Sequence, residues 1–373
     1  MKTKILKHYL LLFFILFSFT IPFNSCSDDD ESNNQIPENK GTYVPDNNFE
    51  QKLIDLGYDD VLDDYVLTSN IKDVTELKLD SLGIKDLTGI EDFEKLEVLD
   101  CQDNQLTSLD VSKNISLIEI VCNNNQLTSI DVSNNTFLES LGCYKNQLTS
   151  LDISNNTSLT GLGCYDNKLT SLDISKNTSL EYCWLSINQL TSLDVSNNTS
   201  LKTLYCNENQ LTTLDITNNP SLEQLWFHNN QLTSIDVSNN TSLESLECYK
   251  NQLTSLDVSN NTSLDQLLCG FNQLSSLDMS KNISLTLLEC SNNQLTSVDI
   301  SKNTELYYLK CNNNQLTSLD VSNNYNGGYP GLPGNLDCTS NPLTCIKVNE
   351  SQLDNQVSNW YKDDTSTWSL ECD

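Results

Sequence analysis

The chain has 373 residues, of which 51 are acidic and 20 are basic, and every basic residue is a lysine. A formal net charge of −31 argues against a surface that binds nucleic-acid phosphate or anionic lipid by charge attraction. Its two histidines are His8 and His228, which excludes most general-base and zinc-site chemistry. The composition favours solubility and gives no support to histidine-based catalysis.

The first predicted element is an export signal at residues 1–25. Three lysines precede an apolar stretch at Tyr9–Phe19, which is shorter than the roughly 20 apolar residues of a membrane span. Cys26 follows in a context that resembles a bacterial lipoprotein signal, in which the cysteine is acylated and becomes the new N-terminus. The resemblance implies a lipid anchor in the bacterial outer membrane. The acidic residues after Cys26 are similar to the signal that sends Bacteroidetes lipoproteins to the cell surface. The alternative is a plain secretory peptide followed by an acidic linker.

Two short segments lead into the body of the chain. Residues 26–42 are polar and acidic, which predicts a flexible tether. Residues 43–73 predict an N-terminal cap with one short amphipathic helix that contains Phe49 and Leu53 and opens at Asp46 or Asn47. Acidic residues near Asp59 and Asp63 leave a calcium site as an alternative to a solvated loop, although the EF-hand spacing and its glycine are missing.

A 21-residue repeat dominates residues 74–346 and follows the pattern LxxLxCxxNxLxxLDVSxNxS. Alternating apolar residues such as Leu243, Leu246 and Cys248 predict a short strand whose inward side chains stack on those of the next unit. Asn251 and its equivalents are predicted to bind backbone groups where the chain turns out of the strand. One unit cannot bury its apolar edge alone, so stacking of the units is what folds the chain.

The pattern resembles a leucine-rich repeat in which cysteine occupies a common leucine position. The resemblance implies a leucine-rich-repeat solenoid with a curved parallel β-sheet on the concave side and small caps at both ends. Because 21 residues leave no room for a long helix, the convex side is predicted to consist of turns or short 3₁₀ segments. A similar row of cysteines occurs in one member of the internalins, which are listerial surface adhesins, and this likeness implies an adhesive function.

The cysteines are predicted to fall into two classes. Parallel strands hold their side chains about 4.8 Å apart with parallel Cβ vectors, whereas a disulfide needs converging Cβ atoms at about 3.8 Å. Cysteines at the repeated position are therefore predicted to be buried free thiols. Cys345 and Cys372 are out of phase with the repeat and are predicted to form a disulfide that fixes a C-terminal cap at 347–373, a helix plus a strand. The repeated cysteines are Cys101, Cys122, Cys143, Cys164, Cys206, Cys248, Cys269, Cys290, Cys311 and Cys338.

Aromatic side chains are predicted to form a strip on the concave face of the middle units. Trp184, Tyr205 and Trp226 occupy one strand position in three consecutive units, so stacking makes them neighbours. An exposed strip of this kind is typical of a surface that binds a protein or stacks on sugar rings. The alternative is that the rings only cover the sheet. The candidate ligand-binding residues are Tyr144, Tyr165, Tyr182, Trp184, Tyr205, Trp226, His228, Tyr249 and Phe271.

These observations predict a non-enzymatic, surface-anchored lipoprotein that binds a protein or glycoprotein ligand through its concave face. The alternative is a lipoprotein that captures a polysaccharide for nutrient uptake. We expect no catalytic residues, no cofactor, no metal, no nucleic-acid partner and no membrane contact beyond the lipid on Cys26. A row of aspartates that includes Asp236 and Asp257 repeats in nearly every unit, which favours turn capping over paired catalytic acids.

Overall fold

The computed structural model describes residues 41–324, 335–354 and 360–372. The predicted signal peptide, the lipidation site at Cys26 and most of the predicted tether lie outside the described residues. Along the part of the chain that is described, no helix has both the length and the apolar character needed to cross a membrane. The first described elements are β1 (Thr42–Tyr43), α1 (Asn47–Asp55), β2 (Tyr65–Val66) and α2 (Thr68–Ile71).

The N-terminal cap is attached to the first repeat by Asp46. Of the two predicted openings, this residue is the N-cap of α1, because its Oδ1 accepts the backbone N–H groups of Asn48 at 3.0 Å and Phe49 at 3.2 Å. Its Oδ2 accepts the N–H groups of Lys85 at 2.8 Å and Asp86 at 3.2 Å. One carboxylate therefore satisfies the helix end and joins the cap to the solenoid.

The acidic loop of the cap folds around a buried carboxylate. Glu50 is fully buried in α1, and its Oε1 accepts the N–H groups of Asp63 at 2.7 Å and Tyr65 at 3.2 Å. Within residues 41–324, 335–354 and 360–372, no group of three or more His, Cys, Asp or Glu side chains is arranged to hold a metal ion. The structure thus uses Glu50 to satisfy backbone donors of the loop.

The repeats form one parallel sheet of 14 strands, each of two or three residues. From one edge to the other, the sheet follows the chain order of its strands. This architecture confirms the predicted leucine-rich-repeat solenoid. The strands are β3 (Glu76–Lys78), β4 (Val98–Asp100), β5 (Glu119–Val121), β6 (Ser140–Gly142), β7 (Gly161–Gly163), β8 (Tyr182–Trp184), β9 (Thr203–Tyr205), β10 (Gln224–Trp226), β11 (Ser245–Glu247), β12 (Gln266–Leu268), β13 (Leu287–Glu289), β14 (Tyr308–Lys310), β16 (Asn335–Asp337) and β18 (Trp360–Tyr361).

The central residue of each three-residue strand points into the core, and the two flanking residues point to the outer surface of the sheet, here called the concave face. Leu204 of β9 is fully buried and lies opposite Leu225 of β10. Because side chains alternate along a strand, Thr203 and Tyr205 face the other way. Each coil contributes one strand, so residues 21 positions apart in the sequence lie next to each other on adjacent strands.

The repeated cysteines are buried free thiols, as predicted, and Cys183 at the neighbouring core position joins them. Burial raises the pKa of Cys122, Cys164 and Cys206 to about 12. A thiol in this position therefore stays protonated and acts as a small apolar side chain. Leu185 replaces the cysteine in one coil and is also fully buried.

Two rows of buried asparagines hold the turns on either side of the coil. In the predicted row, Asn188 Oδ1 accepts the N–H of Leu169 at 3.0 Å, and Nδ2 donates to the carbonyl of Cys164 at 3.0 Å. In the second row, Asn198 Nδ2 donates to the carbonyls of Ile174 at 3.0 Å and Asn177 at 2.9 Å. Each asparagine thus joins its own coil to the preceding one.

The convex side consists of turns, and the one 3₁₀ segment among the described residues is Ile90–Asp92. The aspartate row caps these turns: Asp236 Oδ1 accepts the N–H of Ser238 at 2.9 Å. Hydrogen bonds from the Ser238 hydroxyl and backbone lower the pKa of Asp236. The row therefore has the turn-capping role that was predicted for it.

The C-terminal segment continues the stack instead of only covering it. Helix α3 (Glu350–Asp354) is followed by β18, which extends the main sheet. A second parallel sheet contains β15 (Leu319–Asp320), β17 (Cys345–Lys347) and β19 (Thr367–Ser369). Cys345 and Cys372 form the predicted disulfide. The predicted cap of a helix plus one strand therefore has two strands, and each adds to one of the sheets.

Candidate functional site

The middle of the concave face carries the predicted aromatic column. Trp184, Tyr205 and Trp226 are the third residues of β8, β9 and β10, and they lie opposite one another in register. Trp184 is 38% exposed, and the other two rings are half-buried. The sheet therefore brings together side chains that were predicted to be neighbours from their spacing alone.

Six of the nine predicted site residues stack on one another in pairs. In each pair the rings are nearly parallel, so each ring covers one face of its partner. These side chains form fixed walls on the sheet and not a continuous open platform. The pairs and their centroid distances are Tyr144–Tyr165 at 4.3 Å, Tyr205–Trp226 at 3.9 Å and His228–Tyr249 at 4.1 Å.

The Tyr205–Trp226 pair is further fixed by hydrogen bonds. The Tyr205 hydroxyl donates to Oε1 of Gln224, and Trp226 Nε1 donates to Oγ of Ser245 at 3.3 Å. Burial raises the pKa of Tyr205 to about 12, so its hydroxyl keeps its proton at physiological pH. Both rings are therefore preorganised.

Tyr182 and Trp184 differ from the paired rings because they are the two most exposed rings of strands β3–β14. Their centroids are 6.3 Å apart and tilted by 31°, and the side chains are 39% and 38% exposed. Opposite them on β7 lie Gly161 and Gly163, which place no side chain on the face. A Cβ at Gly163 would lie 3.3 Å from Cε3 of Trp184, so the indole lies against this glycine. We call these four residues the aromatic step.

The charge next to the aromatic step is paired. Lys202 Nζ lies 2.5 Å from Glu181 Oε2 and 6.0 Å from the centroid of the Tyr182 ring. The hydrogen bond to Glu181 raises the pKa of Lys202, so the ammonium stays charged. The step therefore combines apolar ring surface with a neighbouring ion pair.

Two predicted site residues lie in different surroundings from the aromatic step. His228 is only 7% exposed, and its Nδ1 lies 3.4 Å from Glu247 Oε2 while its ring stacks on Tyr249. Phe271 is 50% exposed but belongs to the turn after β12, at φ +52°. The structure thus gives His228 a packing position and separates Phe271 from the strand column.

Some residues that shape this face were not predicted. Gly161 and Gly163 could have been noticed because glycine replaces a side chain at two outward strand positions of one unit. Glu289 accepts the N–H of Gly270 at 3.1 Å and the N–H of Ser291 at 3.2 Å, and burial raises the pKa of Glu289. No sequence signal distinguishes Glu289, because exposed glutamates also occur at strand positions.

Comparisons with known proteins agree with this geometry. The family model for leucine-rich repeats, in two copies, matches residues 199–240. The functional domain of InlJ from Listeria monocytogenes, described as including a cysteine ladder, is 31% identical and has a TM-score of 0.66. That match covers 86% of this chain and 79% of the InlJ chain. The chain belongs to the leucine-rich-repeat family.

Two further structures support the leucine-rich-repeat fold alone, because their identity is low. The internalin inlF of Listeria monocytogenes has a TM-score of 0.73 at 22% identity, over 89% of this chain and 100% of that one. YopM, a leucine-rich effector protein from Yersinia pestis, has a TM-score of 0.56 at 24% identity, over 79% and 92%. No curated protein gives a significant match.

Leucine-rich-repeat proteins are generally non-enzymatic scaffolds for protein interaction, and no catalytic family is indicated.

Proposed function

We propose that this leucine-rich-repeat protein is a surface lipoprotein that binds a protein or glycoprotein ligand through its concave face, as an adhesin does. The observation that carries the proposal is the aromatic step, where the exposed rings of Tyr182 and Trp184 stand beside two glycines. Large aromatic side chains that become buried on binding supply much of the energy of protein interfaces. The leader sequence and Cys26 support the lipid anchor and the outer-membrane location.

The rigidity of the surrounding face supports the same proposal. The Tyr205–Trp226 wall is stacked and hydrogen-bonded before any ligand arrives. A surface that is already ordered loses little side-chain entropy on binding, so more of the contact energy appears as affinity. The aromatic step therefore provides two anchors on a prepared surface.

The proposal is tested by binding of the purified full-length protein to arrays of extracellular host proteins and glycoproteins, with a glycan array in parallel. Ligands are then measured with the Tyr182→Ala/Trp184→Ala variant. We expect at least about 30-fold weaker binding, equivalent to about 2 kcal/mol for loss of an interface hot spot.

Phe137→Ala is the matched control, because Phe137 is an aromatic side chain that is 64% exposed in the turn before β6, off the strands. This variant should bind like the unmodified protein. Equal affinity of the double variant would contradict the proposed surface. Binding to polysaccharides alone, with the same sensitivity to Trp184→Ala, would establish the nutrient-capture alternative.

A further inference from the structure

A second concave feature lies near the C-terminal end of the sheet, outside the predicted aromatic strip. It is a cavity of about 220 Å³ formed by strands β14, β16 and β18. At about 4.8 Å per strand, β14 lies six strands and roughly 29 Å from the aromatic step on β8. The cavity is therefore a separate location. Its lining residues are Tyr308, Lys310, Asn335, Leu336, Asp337 and Tyr361.

Strand register sets the walls of this cavity. Lys310, Asp337 and Tyr361 lie opposite one another on the three strands, and Tyr308 lies opposite Asn335. The two tyrosines lie on strands that are two steps apart, which is roughly 9.6 Å, and they differ by two register positions along the strand direction. Tyr361 is 55% exposed. Aromatic side chains thus bound the cavity at both ends, and polar side chains lie between them.

The carboxylate of Asp337 is held in a fixed orientation. Its Oδ1 accepts the backbone N–H of Thr339 at 3.2 Å and the Thr339 hydroxyl at 2.7 Å. Among the described residues, none donates a hydrogen bond to its Oδ2. This carboxylate oxygen can therefore accept a hydrogen bond from a ligand hydroxyl.

Lys310 supplies the complementary donor. Its Nζ lies 5.6 Å from the centroid of the Tyr308 ring. A hydrogen bond with Tyr308 and the charges of Asp337 and Glu289 raise the pKa of Lys310, so the ammonium remains charged. An ammonium has three N–H donors, so it can also donate to a ligand oxygen.

The charges at the cavity determine the class of ligand. Lys310 and Asp337 carry opposite charges and lie directly opposite each other on adjacent strands, so a cationic or an anionic ligand would meet a like charge. A neutral ligand with hydroxyl groups can both donate to Asp337 and accept from Lys310. Flanking rings suit the apolar C–H face of a sugar. The volume is below the roughly 300–1,000 Å³ of sites for drug-sized ligands, so it accommodates one small ring.

We propose that this cavity binds a single pyranose ring of a neutral carbohydrate, through stacking on Tyr361 and hydrogen bonds to Asp337 and Lys310. The site is independent of the protein-binding function proposed for the aromatic step. It gives the same face a second contact, so a glycoprotein ligand can be held through both its protein and its sugar parts.

The test is saturation-transfer NMR on the full-length protein in a detergent that has no sugar headgroup. The probes are methyl β-glucopyranoside, methyl β-galactopyranoside, methyl α-mannopyranoside and N-acetylglucosamine, each measured separately. We expect saturation transfer to at least one probe, loss of that signal in Tyr361→Ala, and about tenfold weaker binding in Lys310→Met. Phe137→Ala is the matched aromatic control and should retain the signal, and Trp184→Ala on the aromatic step is measured beside it.

The outcomes separate this subsite from the aromatic step. Absence of transfer to all four probes would overturn the proposal. Transfer that survives both Tyr361→Ala and Lys310→Met would also overturn it, and so would a signal lost only in Trp184→Ala. Circular dichroism of Tyr361→Ala checks the fold, and if that variant is unfolded the Lys310→Met result decides.

Discussion

The second asparagine of the convex turn shows how one residue stabilises a coil. Asn198 is fully buried, and its Nδ2 donates to two carbonyls of the preceding coil, those of Ile174 and Asn177. Its own carbonyl accepts from Asn219 Nδ2 at 2.8 Å. The two side-chain hydrogen bonds add to the one backbone N–H that each carbonyl already accepts, so the position favours a side chain that donates twice.

We therefore expect Asn198→Ala to destabilise the protein by about 1–3 kcal/mol, because two buried carbonyls lose their side-chain donor and each keeps only one backbone N–H. The adjacent Asn197 is exposed, so Asn197→Ala is the control and should change stability by less than about 0.5 kcal/mol. Urea unfolding followed by circular dichroism gives both values. Equal stability of the two variants would show that the buried asparagine row does not hold the turns.

At the same scale, some of the candidate site follows from sequence and some does not. The 21-residue spacing predicts that Tyr205 and Trp226 are neighbours, and the sheet register confirms it. The spacing does not predict which rings pair face to face, because that depends on side-chain rotamers and on the sizes of neighbours in adjacent coils. Burial of His228 against Tyr249 and the contact of Trp184 with Gly163 have this origin.

At the scale of the element, each strand adds one thiol or one larger apolar residue to a continuous core row. Leu185 and Phe227 occupy the cysteine position in two coils and are fully buried. The position therefore requires a buried apolar side chain and does not require a sulfur atom. Alternation within the strand predicted this burial, since the central residue and the cysteine lie on the core side of the chain.

The protonation of this row predicts how stability depends on pH. Burial raises the pKa of Cys206 to about 12, whereas an unfolded thiol titrates near about 8.5. The stability that the protonated Cys206 thiol contributes is fully present below the pKa of the thiol in the unfolded chain. It is lost as pH rises through the pKa of the thiol in the folded protein. Each such thiol should remove about 1.4 kcal/mol per pH unit in that window.

Cys206→Val should keep its stability at neutral pH within about 1.5 kcal/mol, because an apolar side chain of similar size replaces the thiol. Between about pH 9 and 12 the free energy of unfolding of this variant should fall less steeply with pH than that of the unmodified protein. The two slopes should differ by the contribution of one thiol, about 1.4 kcal/mol per pH unit. Denaturant unfolding at a series of pH values measures the two slopes. Identical slopes would mean that Cys206 titrates in the folded protein as it does in the unfolded chain.

At the scale of the described solenoid, the repeats were more predictable from the sequence than the C-terminal segment. A repeat of fixed length determines strand spacing, register and core in every coil, because each unit meets the same neighbours. The C-terminal segment has no such pattern, and its two strands β18 and β19 form by pairing with β16 and β17. These pairings depend on tertiary contacts, so the segment's local sequence did not reveal them.

The central claim is that equal coils stack around a dry row of thiols and leave the concave face for binding. Thiol labelling of the native protein with N-ethylmaleimide at about pH 8, mapped by mass spectrometry, tests it most directly. We predict no modification at the buried row from Cys101 to Cys338 until guanidinium chloride unfolds the chain, after which all of these thiols react. Rapid labelling of Cys164 or Cys206 in the native protein would contradict the stacked core.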